Sequence, residues 1–132
     1  MPFDPPNAVA IDLILVTDDQ AHARDLLASL DRNHHQYLVR EVAKRESIVT
    51  DLEAIVESAR GIRPVIVFLD GEFLRGQVET VAAHILSLKR DMALECVATR
   101  PPTEPHRRTH LAMLGVHLFD GFAASAEIIP LH

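Results

Sequence analysis

The sequence predicts an α/β domain: an open parallel sheet with helices packed on both faces. Three observations lead there. Short, nearly continuous apolar runs alternate with segments whose apolar residues recur at helical spacing. The runs are β-branched and aliphatic, as strands covered on both faces require. The 132 residues, 48% hydrophobic and 24% charged, supply one core without a metal or disulfide.

Taken in order, residues 1–8 carry three prolines and one Asp and read as an N-terminal extension, with the domain running over 9–132. The first strand is predicted over 9–16. Ile11, Leu13 and Leu15 point to one side, and Ala10, Ile14 and Val16 to the other. A helix over 21–30 follows, with Ala23, Leu26, Leu27 and Leu30 on one stripe and Asp18 or Asp19 placed to cap its first turn. Strand two is predicted over 37–42, and the run from Arg40 to Glu46 mixes signs as an exposed strand end and loop does. The helix over 48–59 is carried by Ile48, Leu52, Ile55 and Val56, with Gly61 as its stop. Strand three covers 64–69, with Val65, Val67 and Leu69 alternating with Ile66 and Phe68. A helix over 78–88 and a strand over 94–99 come next. A weaker helix over 104–114 has Thr103 as its expected cap, Pro105 in its first turn and Gly115 at its end. Strand five is predicted over 116–119, and 123–128 opens a fifth helix that Pro130 interrupts, so a domain cut from a longer protein is expected.

Composition excludes several functions. The net charge is −6, and two lysines, Lys44 and Lys89, stand with eleven arginines in no basic stripe, which argues against direct nucleic-acid binding. The N-terminus lacks a secretory signal, and no apolar stretch approaches the roughly 20 residues of a membrane span. A cytoplasmic protein is therefore expected. Cys96 is the only cysteine and reads as buried filler. His106 and His110 are four apart on one predicted helix and His34 and His35 are adjacent in a loop. No third ligand is placed near either pair, so solvated histidines are the simpler reading and no zinc is expected. Arg107 and Arg108 read as a solvated helix face, and His84 as a surface or partly buried residue.

In doubly wound sheets the functional crevice lies beyond the carboxyl ends of the strands. Asp18 and Asp19 follow strand one, and Asp70 follows strand three. If those strands are neighbours, the three carboxylates converge, and clustered carboxylates call for a compensating cation such as Mg²⁺. A carboxylate beside such an ion can attack phosphorus.

These residues, with Thr99 at the end of strand four, resemble the receiver domain of bacterial two-component response regulators, the CheY-like family, over 9 to about 125. The resemblance implies a three-layer flavodoxin-like sandwich of strand order 2-1-3-4-5. It implies Asp70 as phosphoacceptor, Mg²⁺ held by Asp18, Asp19 and Asp70, Thr99 as the switch hydroxyl, and a histidine kinase or phosphotransfer protein as partner. The chain would then be a signalling module and not an enzyme in the ordinary sense.

Three departures stand beside the match. The family's lysine after strand five is missing from 116–122. Gly71-Glu72-Phe73-Leu74 replaces its Met-Pro, and Arg100, rather than a small residue, follows Thr99. A guanidinium suits phosphate, so Arg100 is a candidate phosphate partner in place of the lysine. The departures also fit a pseudo-receiver, which keeps the fold, ignores phosphate and serves protein interaction or dimerisation. A homodimer and an effector domain beyond residue 132 stay open. A flavodoxin-like nucleotide binder is the weakest reading, because the five glycines form no phosphate loop.

Overall fold

The structure is a computed structural model, and it describes residues 9–30 and 35–120. Its elements run β1 (Val9–Val16), α1 (Gln20–Ala28), β2 (His35–Val42), α2 (Ile48–Ala59), β3 (Val65–Asp70), α3 (Gly71–Leu74), α4 (Val78–Ser87), β4 (Leu94–Thr99), α5 (Pro105–Leu114) and β5 (His117–Phe119), with single 3₁₀ turns at Arg45–Ser47 and Arg75–Gln77. The five strands are all parallel in the order β2-β1-β3-β4-β5, the flavodoxin-like three-layer arrangement. The helix expected at 123–128 lies outside the described residues.

Strand alternation assigns the two cores. Ile14, Val16, Val65, Val67, Leu69, Cys96 and Ala98 pack beneath α2 and α4, against Leu52, Val56, Val81 and Ile85. On the other side Ile11, Leu13, Leu15, Ile66, Phe68 and Val97 meet Ala23 and Leu26 of α1. Each fully buried side chain of this size contributes about 2 kcal/mol. Cys96 is buried, as expected, and burial pushes its thiol up to about 12, so it is chemically quiet. Among the described residues no helix is long and apolar enough to cross a membrane.

Local chemistry explains two of the boundaries that differ from the expected ones, the start of α5 and the end of β3. Helix α5 is capped by Glu104 rather than Thr103. Pro105 occupies the first helical position, and the residue before a proline is driven into extended backbone, so helix cannot begin earlier. At its other end Gly115 takes φ 98, the left-handed conformation that stops a helix. Strand β3 runs one residue past its expected end, because Asp70 still pairs with Thr99 of β4.

One buried charge lies within the apolar run of β1. Asp12 is fully buried on the α2 side, where its Oδ2 accepts from Arg63 Nε at 2.7 Å. Its Oδ1 has no hydrogen bond, and Arg40 stands 3.7 Å away. The mixed-sign segment at Arg40 is thus partly engaged at the amino end of the sheet, opposite the crevice.

Candidate functional site

The strand order places β1 beside β3, and the turns after these strands and after β4 meet at one edge of the sheet. The turns after β1 and β3 each present an acid through a helix cap. Asp19 is the N-cap of α1, and its Oδ1 accepts the His22 N–H at 3.1 Å. Asp70 is the N-cap of α3, and its Oδ1 accepts the Glu72 N–H at 3.0 Å. Asp is a preferred residue at such positions because it satisfies donors the helix leaves open.

Arg100 joins the two caps. Its Nε donates to Asp70 Oδ1 at 3.0 Å and its Nη2 to Asp70 Oδ2, the fork-to-fork pairing of guanidinium and carboxylate. Its Nη1 reaches Asp19 Oδ2 at 3.1 Å and Glu72 Oε1 at 3.3 Å. The Thr17 hydroxyl donates to Asp70 Oδ2 at 2.6 Å, and the same oxygen of Thr17 accepts the Asp19 N–H at 3.1 Å. Asp70 is 1% exposed, and its two oxygens accept four hydrogen bonds in all.

The backbone is shaped to make this contact. Arg100 has φ 46, a left-handed conformation that costs a side-chain-bearing residue about 1 kcal/mol or more. Gly71 is what lets the loops meet. A Cβ there would fall 2.2 Å from the Arg100 carbonyl oxygen and 3.2 Å from Pro101 Cα. Charge-assisted hydrogen bonds of about 1.5–3 kcal/mol each offset the strain at Arg100.

The electrostatics follow the geometry. Burial pushes the Asp70 carboxyl up, but hydrogen bonds from Arg100, Thr17 and the Glu72 N–H, with the Arg100 charge, outweigh it and hold the group below its ordinary value. Asp19 is also held low, first by the His22 N–H and then by Arg100. Arg100 is held more firmly protonated, chiefly by its hydrogen bond to Asp70.

Behind this cluster lies a second pair. Thr99 is fully buried, with its hydroxyl 2.9 Å from His22 Nε2 and 3.4 Å from the Leu69 carbonyl. A hydroxyl that donates to Leu69 accepts from an Nε2–H. Burial, followed by the positive charge of Arg100, pushes the His22 pKa down and favours the neutral ring.

Of the residues expected at the site, Asp19, Asp70 and Arg100 form one connected network, and Thr99 stands behind it through His22. Asp18 does not join them. It is exposed, and among the described residues no hydrogen bond or ion pair joins it to Arg100 as Asp19 and Asp70 are joined. Among the described residues no three His, Cys, Asp or Glu side chains converge as metal ligands. As arranged, both carboxylates direct oxygens at Arg100, whose guanidinium supplies a compensating positive charge. Where the resemblance expects a lysine, the residue after β5 is Asp120, which pairs with Arg108 at 2.9 Å. Beside Arg100 an open cleft of about 700 Å³ runs between Glu72 and Asp120.

Two members of the network escape a reading of the sequence. Thr17 stands between the strand and the acidic pair, and a hydroxyl directly before two acids at a strand end is its signal. His22 lies three residues after the Asp19 cap, on the inner face of α1, and that spacing is its signal. Arg107 and Arg108, expected to be solvated, are instead half-buried and paired with Glu79 and Asp120. Glu79 lies on α4 across from α5, and Asp120 lies at the end of β5, partners that sequence spacing does not show. His84 pairs with Glu53 across α2 and α4 at 3.1 Å, and His106 and His110 are exposed, as expected.

Compared with family models, with curated proteins and with solved structures, the chain matches none.

Proposed function

We propose that this chain is a receiver-like signalling module of the cytoplasm that works without phosphorylation, serving as a protein-interaction domain. The observation that carries the reading is the state of Asp70. Four donors occupy its two oxygens, and two of them belong to Arg100, which brings the compensating positive charge on a covalent tether. Attack on phosphorus needs a carboxylate lone pair free to face the incoming group. Arg100 removes that freedom and holds the carboxylate in an internal ion pair. The chain's own residues thereby keep the edge of the sheet in one arrangement: Thr17 and Arg100 orient Asp70, and Arg100 ties Asp70 to Asp19.

The test is incubation with Mg²⁺ and either acetyl phosphate or beryllofluoride, read by intact mass and by backbone NMR shifts. The expected result is no added mass and no shifts around Asp70. Labelling that disappears in Asp70→Asn would overturn the reading.

A second reading has one observation in its favour: Asp70, Asp19 and Thr99 do lie at the carboxyl edge of neighbouring turns, in connected contact. In it Asp70 is phosphorylated by a histidine kinase, with Mg²⁺ at Asp18 and Asp19, after Arg100 has swung away. The same experiment separates the two.

A further inference from the structure

Arginine is in surplus at the amino end of the sheet. At the carboxyl edge one guanidinium serves three carboxylates. Here the ratio inverts. Glu57 is shared by Arg60 at 2.7 Å and Arg90 at 3.8 Å, and Asp12 by Arg63 at 2.7 Å and Arg40 at 3.7 Å.

An open pocket of about 440 Å³ lies at this pole, between the loop from α2 to β3 and the loop from α4 to β4. Its whole lining, 60–64 and 91–93, belongs to the described residues. Both loops are fixed. Gly61 takes φ 76, and the N–H groups of Ile62 and Arg63 both return to the Ala59 carbonyl, at 2.9 and 3.0 Å. The Met92 N–H returns to the Lys89 carbonyl at 2.9 Å. Arg60 spans the gap, gripping Glu57 and donating through Nη2 to the Leu88 carbonyl. The pocket is therefore preformed, and a ligand entering it need not order the walls.

The lining has two characters. Ile62 is 67% exposed, and Pro64, Met92 and Ala93 continue an apolar wall. Beside it stand two guanidiniums with donors to spare. Arg60 Nη1 is buried and has no hydrogen-bond partner, and Arg63 commits only its Nε, to Asp12. A buried donor without an acceptor is unfavourable, and an oxyanion is the acceptor a guanidinium pairs with best. Apolar walls with a few convergent polar groups are the make-up of small-molecule sites, and the volume is of their size.

We propose that this pocket binds a small organic carboxylate, whose head pairs with Arg60 and Arg63 and whose apolar body lies on Ile62 and Met92. Asp91 also lines the pocket, and its charge opposes a second negative charge on the ligand, which favours a carboxylate over a dianionic phosphate. The site stands at the pole opposite Asp70 and does not depend on how Asp70 is read.

Hexanoate is the probe, followed on the whole chain by backbone NMR shifts. Saturable shifts are expected at Gly61, Ile62 and Ala93, with a Kd of about 1 mM. Acetate, which has the head without the body, and hexanol, which has the body without the head, are expected to bind about tenfold more weakly or worse. Ile62→Ser and Arg60→Gln should each weaken hexanoate about tenfold with unchanged circular dichroism. Arg63→Gln alone leaves Asp12 buried without its partner, so it is combined with Asp12→Asn, and the pair should weaken hexanoate likewise. The inference is overturned if hexanol or inorganic phosphate binds as tightly as hexanoate, or if hexanoate shows no saturation by about 50 mM. Undiminished binding in both Arg60→Gln and the paired variant would overturn it too. So would nuclear Overhauser contacts from residues 1–8 to Ile62 or Met92 in the free protein, which would give the pocket to the chain's own amino terminus. None of these outcomes touches the acetyl phosphate experiment, which reads chemistry at the other end of the sheet.

Discussion

Arg100 holds three carboxylates, and its removal takes a positive charge away from all of them. Asp70 is 1% exposed, while Arg100 keeps 28% of its side chain in solvent. The pair therefore feels a lower dielectric than a surface ion pair does. Arg100→Ala is expected to lower unfolding stability by about 2 kcal/mol, read as a shift of the denaturant midpoint at constant slope. Combined with Asp70→Asn it should cost less than the sum of the two single changes, since both remove the same contact. The sign of the pH dependence follows from the lowered pKa of Asp70. A carboxyl held below its unfolded value near 3.8 contributes its full stability above that pH and loses it as pH falls toward the folded value. Asp70→Asn should accordingly flatten part of the acid limb of a stability–pH curve. Arg100 was legible in the sequence as a departure, and a guanidinium beside acids has an obvious use. Its target was not legible. Whether it serves phosphate or seizes the carboxylate depends on a left-handed backbone angle that no residue pattern announces.

At the scale of elements, the loop after β4 rests on the start of α3 with no room to spare. Gly71→Ala places a methyl against backbone, which cannot swing aside as a side-chain tip would. The expected loss is about 2 kcal/mol, measured by thermal unfolding with calorimetry, together with broadened NMR signals from Arg100 and Thr99. Helix α2 and strands β1 and β4 have the bounds that apolar spacing predicts. Long periodic segments carry many independent repeats of the signal. Helix α3 is one turn long, Gly71–Leu74, and four residues cannot display a period. That turn supplies the Glu72 N–H that Asp70 caps, so the part of the site hardest to read is made by the shortest element.

For the molecule as a whole, the two ends of the sheet show opposite solutions to buried charge. At the carboxyl edge Asp70 is saturated with donors. At the amino end Asp12 has Arg63 on one oxygen and only the more distant Arg40 near the other. Arg63→Ala leaves this buried carboxylate without its hydrogen-bonding partner and is expected to cost about 3 kcal/mol in chemical denaturation. The same change should leave the chemistry of Asp70 as it was, because the two poles share no partner. The sequence by itself determined the order of the five strands and the four longer helices, the parallel sheet and which residues of β1 and β3 lie on each face, since these depend on periodicities of two and 3.6 along the chain. Tertiary structure alone decided that Arg100 reaches Asp70 and Asp19, that Asp18 stands outside their hydrogen-bond network and that Thr17 and His22 stand within it. Those outcomes depend on distances between turns remote in the chain, and burial makes the distances matter by removing the water that would otherwise screen each charge.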